Sequence, residues 1–95
     1  MSQPEMVLDS YGSKYWRLNS QYHREDGPAI EYPNGSKHWF LNGKRHRKDG
    51  PAAEWPDGEK EWYLNDEKVS WEQVFRQAKT PEIELRILSA ALITS

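Results

Sequence analysis

Two copies of one charged sequence, His23-Arg24-Glu25-Asp26-Gly27 and His46-Arg47-Lys48-Asp49-Gly50, stand 23 residues apart. A His-Arg-x-Asp order superficially suggests phosphoryl transfer, with the aspartate as base, but such a site also needs a glycine-rich phosphate loop and a second lobe. This chain has neither. His23, His38 and His46 match no compact metal-ligand spacing, and no nucleophile stands beside a base and an orienting group. The expected reading is therefore structural and non-enzymatic, with no cofactor and no metal. Asp26 and Asp49 are expected to bond backbone N–H groups in their Asp-Gly turns while each His and Arg packs across to the next hairpin.

The linkers repeat because the whole chain does. Gly12, Gly35 and Gly58 are evenly spaced by 23 residues, and the octets Gly12–Asn19, Gly35–Asn42 and Gly58–Asn65 share the frame G-x-K-x-W-x-L-N. Glu31-Tyr32-Pro33-Asn34 likewise aligns with Glu54-Trp55-Pro56-Asp57. Asn34-Gly35 and Asp57-Gly58 are dipeptides that accept the positive φ angles of tight hairpins, so each unit reads as a β-hairpin. Its strands run from Pro28 to Tyr32 and from Lys37 to Leu41, and in the next copy from Pro51 to Trp55 and from Lys60 to Leu64. A further turn follows at Asn42-Gly43 or Asn65-Asp66. Alternation puts Trp16, Trp39 and Trp62 on one face with Leu18, Leu41 and Leu64, where they are expected to stack from repeat to repeat as the core. The opposite face carries Tyr15, Arg17, His38, Phe40, Glu61 and Tyr63. Those aromatics either pack on a neighbouring element or form a protein-binding surface.

After Lys68 the frame breaks. Ser70 and Gln73 form a capping box that starts a helix running through Val74, Phe75 and Ala78. Thr80-Pro81 starts another, with Thr80 as N-cap and proline at the first helical position. The second helix bears Leu85, Leu88 and Leu92 on one stripe, with Ile83, Ile87 and Ala91 beside it, an apolar face that needs cover. It is expected to cap the hairpin array, or to form a homodimer contact. The expected architecture is one domain over 1–95, mainly β with C-terminal α: about three hairpin repeats over 5–69, then two helices over 70–95.

The 23-residue period and the pattern Y-P-N-G-x-K-x-W-x-L-N-G-K resemble MORN-type repeats. The H-R-x-D-G-P-A linker, at 23–29 and 46–52, is similar to that of uncharacterised repeat proteins of bacteriophages and giant DNA viruses. The resemblance implies scaffolding, protein binding and, in some members, lipid association, with no shared catalytic residues, and in a phage setting an accessory protein that engages or inhibits a host factor such as a defence component. Trp and Leu stand at strand positions where Tyr and Gly are usual in the family, a departure that argues against lipid binding, so no membrane partner is expected.

Composition narrows the rest. At 95 residues, with 36% hydrophobic residues, the chain allows one small domain whose function sits on its surface rather than in a closed cavity. The absence of cysteine excludes disulfides and thiolate chemistry and fits a reducing compartment. No apolar run reaches membrane-spanning length and the N-terminus lacks a basic start, so the expected location is cytoplasmic, in the host cytoplasm for a viral protein. A net charge of −2 argues against a generic polyanion binder. The charge is nevertheless lopsided: residues 1–48 hold eight Lys and Arg against five Asp and Glu, while residues 49–95 hold five against ten. The basic turn Lys44, Arg45, Arg47 and Lys48, near Phe40 and Tyr15, is the candidate contact for single-stranded nucleic acid, by phosphate contact and base stacking. The alternatives to protein binding are thus nucleic-acid binding at this turn, or a self-assembling structural role.

Overall fold

The computed structural model describes residues 3–92; residues 1–2 and the last three positions of the expected helical cap lie outside the described residues. The chain is mainly β, with two C-terminal helices. The first hairpin joins β1 (Glu5–Leu8) to β2 (Lys14–Leu18), and β3 (Gln21–Tyr22) folds back on the end of β2. The second unit contains β4 (Ile30–Glu31), β5 (Lys37–His38), β6 (Phe40–Leu41) and β7 (Lys44–Arg45). The third contains β8 (Ala53–Glu54), β9 (Lys60–Leu64) and β10 (Glu67–Val69). All pairings are antiparallel, and the main sheet runs β1-β2-β4-β5-β8-β9-β10, with β3 on β2 and β6-β7 as a separate ladder.

The repeat in sequence is a repeat in hydrogen bonds. Trp16 N–H donates to Ala29 O, and 23 residues later Trp39 N–H donates to Ala52 O, both at 2.8 Å. Each leading strand therefore joins the preceding hairpin in the same register, Tyr15 opposite Ile30 and His38 opposite Ala53. Ala29, Ala52 and Ala53 are completely buried at these joints, where a larger side chain would hold neighbouring strands apart.

The turns divide differently from the expectation. In the Tyr32–Ser36 loop only Gly35 has positive φ, +97°, while Tyr32 O accepts from Gly35 N–H and the Asn34 side chain accepts from Ser36 N–H. This is a three-residue loop that needs glycine at its end. The tight two-residue turns with positive φ at both positions are Asn19-Ser20, Asn42-Gly43 and Asn65-Asp66. Asparagine leads each of them because its short polar side chain tolerates the left-handed region.

Helix α1 (Trp71–Arg76) starts at the expected capping box, Ser70 and Gln73 each satisfying the other's backbone N–H, and ends before Ala78. Helix α2 (Pro81–Leu92) starts at Thr80, whose hydroxyl accepts from Ile83 N–H. Both helices pack on the Trp face of the last hairpin, where Trp62, Val74 and Ile87 form the buried cluster and Leu64, Val69, Trp71, Phe75 and Ile83 surround it. Leu85 and Leu92 point away from this contact and are exposed, because the apolar face of α2 is wider than the hairpin it covers.

Candidate binding surface

Pleating sends alternate side chains of β2, β5-β6 and β9 to opposite faces, and these two faces are chemically different. On the face away from the helices, rings form a connected network: Tyr15 stacks on Tyr22 at 6.0 Å, Tyr22 meets Phe40 at 5.5 Å, and Tyr15 meets Tyr32 edge-on at 6.4 Å. Tyr32 continues to His38 at 5.8 Å and His38 to Trp55 at 5.6 Å.

Arg45 is the hub of this face. Its guanidinium lies 5.1 Å from the Phe40 ring centre and 5.6 Å from that of Tyr63, and its Nη1 donates to His38 Nδ1 at 2.8 Å. Arg17 lies over Tyr22 at 5.3 Å, and the Tyr63 hydroxyl donates to Glu61 at 3.0 Å. All six residues expected on this surface, Tyr15, Arg17, His38, Phe40, Glu61 and Tyr63, therefore stand on one face. Most are half-buried by lateral ring contacts, with their outer edges open to solvent. Tyr22, Tyr32, Trp55 and Arg45 join them. Tyr32 and Trp55 occupy one repeat position, which marks them in the sequence as residues with a shared task.

His38 is buried, and burial followed by the nearby Arg45 charge lowers its pKa, against a smaller opposing pull from Glu61. His46 is lowered by burial and then by Lys48. A histidine depressed on folding binds its proton more readily in the unfolded chain, so stability is complete above the ordinary value near 6.5 and falls as pH drops from there through the folded pKa. The urea midpoint is expected to be lower at pH 5.5 than at pH 7.5, with His38→Gln reducing the difference. Equal wild-type midpoints at the two pH values would contradict the assignment.

The Trp face shows what the two linkers do. Arg47 lies flat on Trp39, with Cζ 3.9 Å from the ring centre, and Arg24 lies on Trp16 at 3.8 Å. Arg47 Nε donates to Asp49 at 2.9 Å, and Nη1 donates to Pro51 O at 3.0 Å and Glu54 at 3.1 Å. Arg24 repeats all three bonds with Asp26, Pro28 O and Glu31. The glycine follows from the same geometry, since a Cβ built on Gly50 would lie 2.7 Å from Arg47 Cζ. The aspartates thus bind arginine rather than turn N–H groups, and each arginine does two things: it lies back on the preceding Trp and also bonds across to the next hairpin, at Glu31 or Glu54. The histidines do reach across, His23 Nδ1 accepting from Asn42 N–H and His46 Nδ1 from Asn65 N–H. Trp16 and Trp39 are accordingly half-buried beneath arginines instead of stacked on one another, and only Trp62 enters the buried cluster.

The linkers border a groove of about 700 Å³ floored by Trp39 and Leu41. Both of its linker guanidinium groups are already held by carboxylates. Of the basic turn, Lys44 and Lys48 are exposed, whereas Arg45 belongs to the aromatic face and Arg47 to the Trp39 clamp. Among the described residues no group of three or more His, Asp or Glu side chains is placed to hold a metal ion, and no helix is long and apolar enough to cross a membrane. The chain matches no protein-family model, no curated protein and no solved structure in the comparisons made with each.

Proposed function

We propose that this chain is a non-enzymatic protein-binding module of MORN-type hairpin repeats, and that its partner docks on the aromatic face of the sheet. The observation that carries this reading is the network of Tyr, Trp, Phe and His rings around Arg45, on the face opposite the helices. Tyr, Trp and Arg dominate binding hot spots because they offer large contact areas, and lateral packing here restricts their rotamers before a partner arrives. The likeness to phage repeat proteins makes a host factor, such as a defence component, the proposed partner. Protein binding is favoured over nucleic acid because Arg45 and Arg47 are both engaged within the fold, which leaves Lys44 and Lys48 as the exposed cations of the basic turn.

The test is affinity capture from a bacterial lysate with and without nuclease, followed by titration of the captured partner against wild type, Phe40→Ala and Tyr63→Ala. Capture that resists nuclease, with affinity reduced at least about tenfold in both variants while circular dichroism is retained, is the expected result. Capture of nucleic acid alone, or unchanged affinity in both folded variants, would refute it.

A further inference from the structure

The two ends of the sheet are finished differently. At the C-terminal end, β10 extends its ladder to Val69 opposite Trp62, whereas β3 stops at Tyr22 opposite Arg17. That extra step takes the place that Ala29 and Ala52 occupy beside Trp16 and Trp39, and the chain then turns into α1. The ladder position at which each earlier Trp receives the next hairpin is thereby taken by the chain's own β10.

At the other end, β1 pairs only with β2, and among the described residues no strand lies beyond it. Met6, Val7 and Leu8 are 49, 48 and 59% exposed, in an edge strand with no lysine, proline or bulge between them. Natural edges are usually blunted by such features, because unpaired N–H and C=O groups beside apolar side chains recruit another strand.

Alternation of the β1–β2 ladder shows which groups are free. Asp9 N–H donates to Ser13 O, so in the register of Val7 opposite Tyr15 the hydrogen-bonded pairs are Asp9–Ser13, Val7–Tyr15 and Glu5–Arg17. Met6 and Leu8 therefore direct their N–H and C=O groups to the open edge.

We infer that β1 is a self-association strand: two copies of this chain pair their β1 strands antiparallel about a two-fold axis centred on Val7. Opposed residues in an antiparallel pair share a face, so the axis must pass through a residue position. Centring on Val7 sets Met6 opposite the partner's Leu8 as a fully hydrogen-bonded pair, and Val7 opposite its own copy. Centring on Met6 would instead oppose Leu8 to Pro4, which has no N–H to give. The Val7 register covers all three exposed apolar side chains and continues the sheet as the two-residue joints β2–β4 and β5–β8 already do. A two-fold pairing uses the same edge of both copies, so β1 is consumed in each and the product is a closed dimer. The covered ladder is small beside the roughly 1,200–2,000 Å² of a standard interface, so the dimer is reversible. Glu5 faces the partner's Asp9 at each end, so added salt strengthens the association rather than weakening it.

The chain has no cysteine, which makes a register test direct. Val7 pairs with its copy at a non-hydrogen-bonded position, where Cα atoms lie about 4.5 Å apart, within the range of a disulfide. The expected result is a concentration-dependent mass by sedimentation, efficient oxidative dimerisation of Val7→Cys, and poor dimerisation of Met6→Cys. Met6→Pro removes only an outward N–H, so it should weaken the dimer about tenfold while leaving the monomer's circular dichroism intact. A wild-type monomer up to about 1 mM, well above the range of most specific association, would overturn the inference. So would a dimer unaffected by Met6→Pro but lost in Leu85→Glu, which would place the contact on α2. Neither outcome bears on the aromatic face.

Discussion

Trp62→Ala is expected to cost about 3–5 kcal/mol and to release both helices from the sheet. Trp62 is 9% exposed and is the only member of the Trp series packed on Val74 and Ile87, which are themselves buried. A domain of this length has a total stability of roughly 5–14 kcal/mol, so the loss is a large share of it. Trp16→Ala removes a half-buried ring whose principal cover is the Arg24 guanidinium, and about 1–2 kcal/mol is expected there. Urea unfolding followed at the helical circular dichroism band separates the two. The Trp62 variant should lose helical signal at lower urea than the sheet signal, because repeat arrays lose their ends independently. Equal midpoint shifts for the two variants would mean that the helices are not anchored by Trp62.

The same residue shows why the repeat was readable from sequence and its ending only partly so. In the earlier units the position eight residues after the Trp is Arg24 or Arg47, and each arginine covers its ring. After Trp62 that position is Ser70, the N-cap of α1, so the helices replace an arginine as the lid. The capping box and Thr80-Pro81 are local signals, set by which backbone N–H groups need partners, and such signals survive without knowledge of the fold. The arginine stacks are non-local, joining residues across a turn, and a charged linker alone does not say which ring lies beneath it. Arg45 was obscured for the same reason. It belongs to a run of basic residues in sequence, yet strand alternation sends it to the aromatic face while its neighbour Lys44 stays exposed. The placement of Tyr15, Arg17, His38, Phe40, Glu61 and Tyr63 on one face was legible because period-two alternation is a property of any strand. The extent of the surface was not, since Tyr22, Tyr32 and Trp55 come from strands and turns that meet the others only across the sheet.

The linker geometry leads to the second large effect: Arg47→Ala should destabilise the chain by about 2–3 kcal/mol and Arg24→Ala by about 1. The two arginines make the same three hydrogen bonds, so bond counting predicts equal losses. Their surroundings differ. The Asp26 side chain is 87% exposed and water can replace Arg24 there, while the Asp49 side chain is 24% exposed and also accepts from Arg86 of α2 at 3.1 Å. Removing Arg47 uncovers Trp39, leaves Pro51 O without its donor and breaks one link of the chain that ties α2 to the second linker. Arg47→Lys should recover little of the loss, because an ammonium cannot lie flat on Trp39 while donating in a fixed fork to Asp49 and Glu54. Acid unfolding gives an independent readout. Burial raises the pKa of Asp49, but Arg47 and Arg86 together outweigh it and hold the carboxyl below its ordinary value. A carboxylate lowered on folding adds stability that is complete above its unfolded pKa and disappears as pH falls through the folded one. Without Arg47 the burial contribution faces Arg86 alone, so the acid transition should move to higher pH in Arg47→Ala and stay near wild type in Arg24→Ala. Equal urea midpoints for the two variants at pH 7, together with coincident acid transitions, would show that the second clamp has no greater role than the first.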